Sequence, residues 1–403
     1  MGIKNLNYLI EKYAPNAINT RFLCTYEYKV IGIDTSIYLY KYVYRNGDPL
    51  ELFVKQIMRL LKNKVIPLYI FDGKPPNEKE DVLNERNTRK NDLLFKQRIL
   101  KKIIKIKEGE LNDSSINENI IEIREKIKDE FEIISKIDKE FDSNEQETLI
   151  EGTVEVVSDY ENQMKDCCLD DLLEELERIQ KNIIVINSKI INECKDLFKL
   201  MGIPFIVANG EAEALAAKLC IRGYIQGCLS EDTDILVNGG KYFLRNFNEN
   251  NNKITEYNLD ILLNSFEMTY PQFVDMCILC KCDYTSTIVN IGREKAYRFI
   301  KDYKTIEGVI EYIKKDEKTN ERYIIPANFD YVKARDLFLN SFKDENYDEL
   351  KRKIRLEKPQ IDKVFLLLDG RTNANTINDI KRNLKKFYDV FEKKKEVKLD
   401  TFF

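Results

Sequence analysis

Histidine is absent from this 403-residue sequence, and that absence removes whole classes of chemistry. No Ser/His/Asp or Cys/His relay can be assembled, no imidazole base is available, and no metal can be held through imidazole nitrogen. Hydrolysis by such a chain would need carboxylates and a metal. Also missing is any run of about 18 apolar residues, and the N-terminal stretch MGIKNLNYLIEKYAP lacks the basic-then-apolar layout of a secretory signal. A soluble intracellular protein is expected. Leu6 stands where an N-myristoylation signal needs Ser or Thr. The nine cysteines are odd in number and irregularly spaced, unlike the dense, even set of a disulfide scaffold, so free thiols are expected. Cys277, Cys280 and Cys282 form a group, but one CxxC without a second pair or any His falls short of a zinc site. Buried helix cysteines are the expectation there.

A formal net charge of −4 hides a division. Residues 111–180 carry 22 acidic and 7 basic side chains, which leaves 58 basic and 47 acidic ones, a surplus of 11, on the other 333 residues. A basic body suits phosphate binding, although a surplus of this size is common in ordinary proteins.

VIGID (Val30 to Asp34) and VIPLYIFD (Val65 to Asp72) read as short buried strands, each ending in Asp, with a helical pattern between them. A helix rich in Lys and Arg is expected from about Glu85 to Lys107. The acidic region follows, with helical patches in IIEIREKIKDEFEIISKI and LDDLLEELERIQ around a middle, DSNEQETLIEGTVEVVSDYENQ, that has little to pack. It reads as a partly mobile insertion. The α/β pattern resumes with a helix after Ser188, the strand GIPFIVA, a helix from Glu211 and the strand YIQGCLS, so one domain is split in sequence. From Tyr270 onward the chain reads as helical, and the loop TSTIVNIG opens the helix EKAYRFIKDY.

Seven acids fall where strands end, helices begin or short junctions occur: Asp34, Asp72, Glu211, Glu213, Asp232, Asp234 and Asp283. Functional groups gather at the carboxyl ends of strands in an open parallel sheet, so acids 200 residues apart can converge in one crevice. Taken singly, a strand-terminal Asp is more often a turn former or a helix cap. Mg²⁺ is a hard ion that takes oxygen ligands and keeps several waters, which explains a need for many carboxylates. Two such ions about 4 Å apart would activate water and stabilise the leaving oxygen of an in-line phosphodiester displacement. So much like charge would raise carboxylate pKa values unless cations were bound.

At these residues the sequence resembles the XPG/flap endonuclease family. MGIKNLNYLI is similar to its N-terminal block, VIGIDTSIYLY to its first acidic motif and YIFDGKPP to its second; GEAEALAAKLC, LSEDTDIL and CKCDYTSTIVNIGREKA follow in family order as the Glu pair, the Asp pair and the helix-hairpin-helix entry. The resemblance covers residues 1–100 and 185–310, and the remainder more loosely. It implies an α/β, PIN-like, mostly parallel sheet flanked by helices, with a helical arch and a helix-hairpin-helix (H2TH-type) DNA-binding lobe. It divides the chain into a nuclease region with a basic arch helix (1–107), an acidic insertion (108–181), an internal nuclease region (182–265), a helix-hairpin-helix region (266–345) and a C-terminal helical region with its tail (346–403).

The resemblance further implies that Asp34, Asp72, Glu211 and Glu213 hold one Mg²⁺, and Glu213, Asp232, Asp234 and Asp283 another, with Mn²⁺ able to substitute. Lys79 and Arg86 would lie over the scissile phosphate and offset charge on its oxygens, the alternative being a solvated basic face. Tyr40 corresponds to a stacking aromatic, with core packing as the competing reading. Arg89 and Lys90 on the basic helix, and Gly292, Arg293 and Lys295 at the hairpin, would bind DNA, the hairpin amides gripping a duplex phosphate without reading bases. Thr287, Ile288 and Ile291 are candidate K⁺ ligands, although Asn290 replaces the hairpin's usual first Gly; Asn tolerates left-handed backbone angles. Residues 396–403, EVKLDTFF, resemble a sliding-clamp (PCNA) binding peptide, with Leu399, Phe402 and Phe403 as the apolar plug and Glu396 where a Gln is usual. The expected activity is that of a monomeric 5′ flap endonuclease and 5′–3′ exonuclease acting on branched DNA in replication and repair, at the nucleus or another site of replication. Alternatives are an XPG-like bubble or Holliday-junction endonuclease, a clamp-bound DNA-binding scaffold, or a PIN-like RNase.

Overall fold

Buried strands that end in acids are the frame on which the site is built. The computed structural model describes residues 3–45, 47–108, 164, 167–183, 186–248, 251–315, 317–343 and 345–399, apart from the side chains at 81, 85, 86, 181, 317, 318 and 394–399. The described residues divide into two compact units, 1–82 with 186–403, and 83–185.

The first unit opens with α1 (Leu6–Tyr13), β1 (Ile18–Phe22), β2 (Val30–Asp34), α2 (Thr35–Tyr44), α3 (Pro49–Lys62) and β3 (Ile66–Phe71). β2 and β3 pair in parallel, Val30 opposite Ile66 and Asp34 opposite Ile70. Both are buried nearly throughout, and strands covered on both faces are continuous in apolar side chains instead of alternating. α3 is amphipathic: Phe53, Val54, Ile57, Met58, Leu60 and Leu61 are buried, at the i, i+3, i+4 spacing of a core-facing stripe. Asp48 caps its first turn by accepting from the Leu50 and Glu51 amides.

The second unit holds most of α4 (Glu80–Lys107) and α5 (Leu169–Asn182). α4 begins five residues before the expected start, directly after a single 3-10 turn at Asn77–Lys79. Ile99, Leu100, Ile103 and Ile104 of α4 share a small core with Leu172 and Ile179 of α5. The helix read in LDDLLEELERIQ is therefore present. The patch IIEIREKIKDEFEIISKI and the polar middle of the insertion lie outside the described residues.

The chain returns to the first unit with α6 (Ser188–Met201), β4 (Phe205–Val207), α7 (Ala212–Ile221), β5 (Gly227–Leu229), α8 (Asp234–Val237), β6 (Tyr242–Arg245) and β7 (Lys253–Asn258). The seven-stranded sheet runs β1-β7-β6-β5-β2-β3-β4. The pairs from β6 through β4 are parallel; β7 is antiparallel to both β6 and β1. α7 is almost wholly buried, and its Ala212, Ala214, Ala216 and Ala217 let its backbone lie close on the sheet.

Helices follow: α9 (Leu259–Phe266), α10 (Tyr270–Cys280), α11 (Arg293–Tyr303), α12 (Ile306–Lys314), α13 (Glu317–Arg322), α14 (Tyr331–Asn340), α15 (Tyr347–Lys353), α16 (Ile361–Leu368) and α17 (Ala374–Leu399). Arg335 of α14 binds both Asp275 of α10 and Glu307 of α12, at 2.7–2.9 Å, which fixes these three helices to one another. All nine cysteines are free, and Cys277, Cys280 and Cys282 are buried among apolar neighbours.

Candidate metal and nuclease site

Asp34 ends β2 and caps α2. Its Oδ1 accepts from the Ile37 amide at 3.2 Å, and its Oδ2 accepts from the Ser230 hydroxyl at 3.0 Å. The same carboxyl therefore caps a helix and is hydrogen-bonded toward the acidic turn. Ser230 Oγ also accepts from the Asp232 amide, and Asp232 Oδ1 from the Asp234 amide, each at 3.0 Å. Asp234 Oδ1 takes the Ile3 amide at 3.0 Å, which ties the N-terminal segment to the acidic turn.

Asp72 follows β3, and its Oδ1 accepts from the Ala212 amide at 2.8 Å, so Asp72 satisfies an orphan donor at the start of α7. Gly73 is required beside it: a Cβ there would lie 1.9 Å from the Ala208 carbonyl oxygen. Glu211 sits at the N-cap of α7 without capping it. Its two oxygens instead accept from Lys79 Nζ and from the Tyr284 hydroxyl. Lys79 Nζ also lies 3.5 Å from Asp283 Oδ2 and 6.0 Å from the centre of the Tyr284 ring.

The seven acids share one electrostatic environment. Glu213, Asp232 and Asp234 offer carboxylate oxygens all within 4.8 Å of one another, and all three side chains are buried. Burial and the charge of Asp72 raise Asp34 from the ordinary carboxylate range to about 7. Burial, then Glu211 with Asp34, Asp72 and Asp232, pushes Glu213 well up. Asp234 is raised well above its usual range by burial and by Asp232, and Asp232 is raised chiefly by burial. Burial would lower Lys79, but Glu211, Glu213 and Asp283 outweigh it and hold the ammonium charged. One lysine does not neutralise this many carboxylates, and the donors are oxygen alone. The residues fit hard divalent cations.

A measurable consequence follows from these directions. Between about pH 4 and 7 the metal-free folded protein keeps protons that the unfolded chain has released. Stability then falls as pH rises through that window, because the folded state binds more protons than the unfolded one. In EDTA, the melting temperature is expected to be a few degrees lower at pH 8 than at pH 6, and a divalent cation to restore more at pH 8. A melting temperature that rises from pH 6 to pH 8 in EDTA contradicts this.

Comparison with known proteins agrees with this geometry. The XPG N-terminal domain matches residues 1–93 and the XPG I-region residues 202–283, which between them contain all seven acids. Flap endonuclease 1-2 of Paramecium tetraurelia is 30% identical, across 96% of this chain and 88% of that protein. The chain belongs to the flap endonucleases of the XPG family. Among solved structures, the catalytic core of Rad2 in complex with DNA substrate aligns over 95% of this chain and all of that one, at 15% identity with a TM-score of 0.62. Flap endonuclease-1 from Methanococcus jannaschii aligns over 96% of this chain and 99% of that one, at 17% identity and 0.55. The fold is the PIN-like α/β fold of these nucleases.

The other residues that the flap endonuclease motifs single out fall as follows. Tyr40 is 45% exposed on α2, so core packing is excluded for it. Arg89 and Lys90 lie on α4 in the second unit, and the Arg86 side chain is outside the described residues. Asn290 adopts the left-handed conformation, φ 64°, and its side-chain amide donates to the Arg322 carbonyl at 2.9 Å, so the hairpin turn forms with Asn at that position. Lys295 Nζ donates to the Asn290 carbonyl at 2.8 Å. The Arg293 guanidinium lies 3.9 Å from the centre of the Tyr8 ring, and Gly292 is the N-cap of α11. Ile288 and Ile291 are buried and Thr287 is half-buried; the Ile288 carbonyl accepts from the Ile291 amide at 3.2 Å. Phe402, Phe403 and the side chains of Glu396 and Leu399 lie outside the described residues.

Two residues of the site were not singled out by sequence reasoning. Ser230 precedes the acidic turn within LSEDTDIL, and Tyr284 follows Asp283 within CKCDYTSTIVNIGREKA. Adjacency was the only signal available, since a hydroxyl's direction is set by strand and helix packing that the one-dimensional pattern does not contain.

Proposed function

We propose that this flap endonuclease cuts near the junction of a 5′ single-stranded flap and a duplex, using two Mg²⁺ ions held by Asp34, Asp72, Glu211 and Glu213 and by Glu213, Asp232, Asp234 and Asp283. The observation that carries this reading is the convergence of Glu213, Asp232 and Asp234 oxygens within 4.8 Å in a buried, oxygen-only cluster. Bound there, the cations supply Lewis-acid activation of water and charge neutralisation at the phosphodiester. The chain's own residues do the rest. Asp34 and Asp72 order the crevice through the Ser230 and Ala212 hydrogen bonds. Lys79, charged at any working pH, presents a donor at the rim of the acids where phosphate charge builds up. Arg86 is proposed as its companion, and Tyr40 as the aromatic against which the base beside the cut stacks. Arg89, Lys90, Gly292, Arg293 and Lys295 would contact phosphates, which gives binding by branch shape instead of sequence. Thr287, Ile288 and Ile291 are proposed for K⁺ through their carbonyl oxygens. Glu396, Leu399, Phe402 and Phe403 are proposed for a sliding clamp, in a protein working where DNA replicates.

Cleavage of end-labelled 5′-flap, bubble, four-way-junction and nicked duplex DNA tests the reading. Cutting near the flap base in Mg²⁺ or Mn²⁺, abolished by EDTA, with 5′-phosphate and 3′-hydroxyl products, is the expected result. Preferential cutting of bubbles or four-way junctions would reassign the substrate. DNA binding without cutting any of the four would turn the reading into a scaffold.

A further inference from the structure

Lys79 reaches the acids from a short turn at the entry to α4. It ends a single 3-10 turn, Asn77–Lys79, whose backbone is closed by the Lys79 amide on the Pro76 carbonyl at 3.1 Å and by the Glu80 amide on the Asn77 carbonyl. Short 3-10 turns have poor hydrogen-bond geometry and little rigidity of their own. Yet the Lys79 side chain is only 11% exposed, its ammonium held against Glu211 and Asp283. Besides its continuation into α4, the turn has a side-chain tie on its other side.

The neighbouring residue supplies the tie. Glu78 is 15% exposed and pairs at 2.7 Å with Lys333, in the first turn of α14. The Lys333 hydrogen bond depresses the Glu78 carboxyl below its usual range, so the pair is ionised. α14 is a firm anchor: Arg335 locks it to α10 and α12. The same helix reaches the site by two other routes. Phe338 packs against the Tyr284 ring at 4.9 Å, and Tyr284 donates to Glu211. Lys218 of α7, the helix that carries Glu213, donates to the Phe338 and Leu339 carbonyls at 3.2 and 3.1 Å. One helix therefore braces the lysine turn, the tyrosine and the acid-bearing helix together.

We propose that Lys333, acting through Glu78, is a positioning residue for Lys79. The proposal rests on the role given to Lys79 in flap cleavage above. A partly exposed ion pair contributes little to global stability, so its value lies in where it puts the next side chain. The competing use of Lys333, whose side chain is 59% exposed, is a direct grip on DNA phosphate, and that would act on affinity.

The test is a set of variants assayed by single-turnover cleavage of 5′-flap DNA, together with hydrogen exchange of the metal-free protein in EDTA. Lys333→Met and Glu78→Gln are each expected to lower the maximal single-turnover rate by ~10-fold at unchanged half-saturating enzyme concentration, as small misplacement of a catalytic group does. Lys333→Arg, which keeps the charge, is expected to stay within about twofold of the parent. In a Lys79→Met background, Lys333→Met should cost nothing further. Without metal or DNA, Lys333→Met should speed exchange of the amides of Asn77–Lys79. Unchanged exchange at that turn, an effect on half-saturation alone, or full additivity with Lys79→Met would overturn the tie. If Lys79→Met itself cleaves normally while exchange at the turn still rises, the role of Lys79 fails and the tie is structural only.

Discussion

Replacing Asp234 with Asn is expected to lower single-turnover flap cleavage by at least ~10³-fold, roughly 4 kcal/mol of barrier, without destabilising the metal-free protein. Asp234 stands at the crossing of the site: its backbone amide donates to Asp232, its Oδ1 takes the Ile3 amide, and its carboxylate oxygens lie among those of Glu213 and Asp232. The Asn carbonyl oxygen can keep the Ile3 bond, so the local backbone has no reason to move. What changes is charge. Burial and Asp232 already push the Asp234 carboxyl well above its ordinary range, which means that without a bound cation its ionisation is resisted. A neutral amide removes that resistance. The variant should melt in EDTA at pH 8 no lower than the parent, and above it if the carboxylate is charged there, while the increment in melting temperature given by Mg²⁺ shrinks. An Asp234→Asn protein that is folded, keeps the full Mg²⁺ increment and cleaves within tenfold of the parent would remove Asp234 from the metal set.

The strands that carry the site were legible because they are buried on both faces. VIGID and IPLYIF are unbroken apolar runs closed by an acid or followed by one, and β2 and β3 form there with nearly the expected ends. The antiparallel edge was not legible. β1 is INTRF with its last three residues exposed, and β7 is KITEYN, so neither shows an apolar run, and their pairing, Ile18 with Tyr257, joins residues far apart in sequence. Five of the seven acids are linked to one another or to a shared partner by bonds that the sequence could not display: Asp34 through Ser230 to Asp232 and on to Asp234, and Glu211 with Asp283 through Lys79. What the sequence did display was their placement at the ends of elements, which topology then converts into proximity. The family resemblance implies a phosphate contact for Lys79, which follows YIFDGKPP. The structure adds that it rests on Glu211 and Asp283, so it also offsets charge among the acids.

That double service sets the last expectation. Lys79→Met should reduce kcat for flap cleavage by ~10²-fold, the usual cost of one preorganised donor to a charge that develops in the transition state. Its effect on the metal-free protein should have the opposite sign to that of Asp234→Asn. Removing a cation from among Glu211, Glu213 and Asp283 leaves buried carboxylates facing one another with Tyr284 as the remaining donor to Glu211. In EDTA at pH 8 the variant should melt below the parent, and lowering the pH should recover the loss as the carboxylates take up protons. Divalent cation offers the same acids a replacement charge, so Mg²⁺ should narrow the stability gap while the cleavage defect persists. Lys79→Arg should keep the stability and lose most of the rate, because a planar fork cannot occupy the position of a compact ammonium between Glu211 and Asp283. Melting in EDTA and in Mg²⁺, beside single-turnover rates for both variants, separates the two roles. A Lys79→Met protein that is more stable than the parent in EDTA would sink the electrostatic account of the site, and one that cleaves within threefold of the parent would sink the catalytic one.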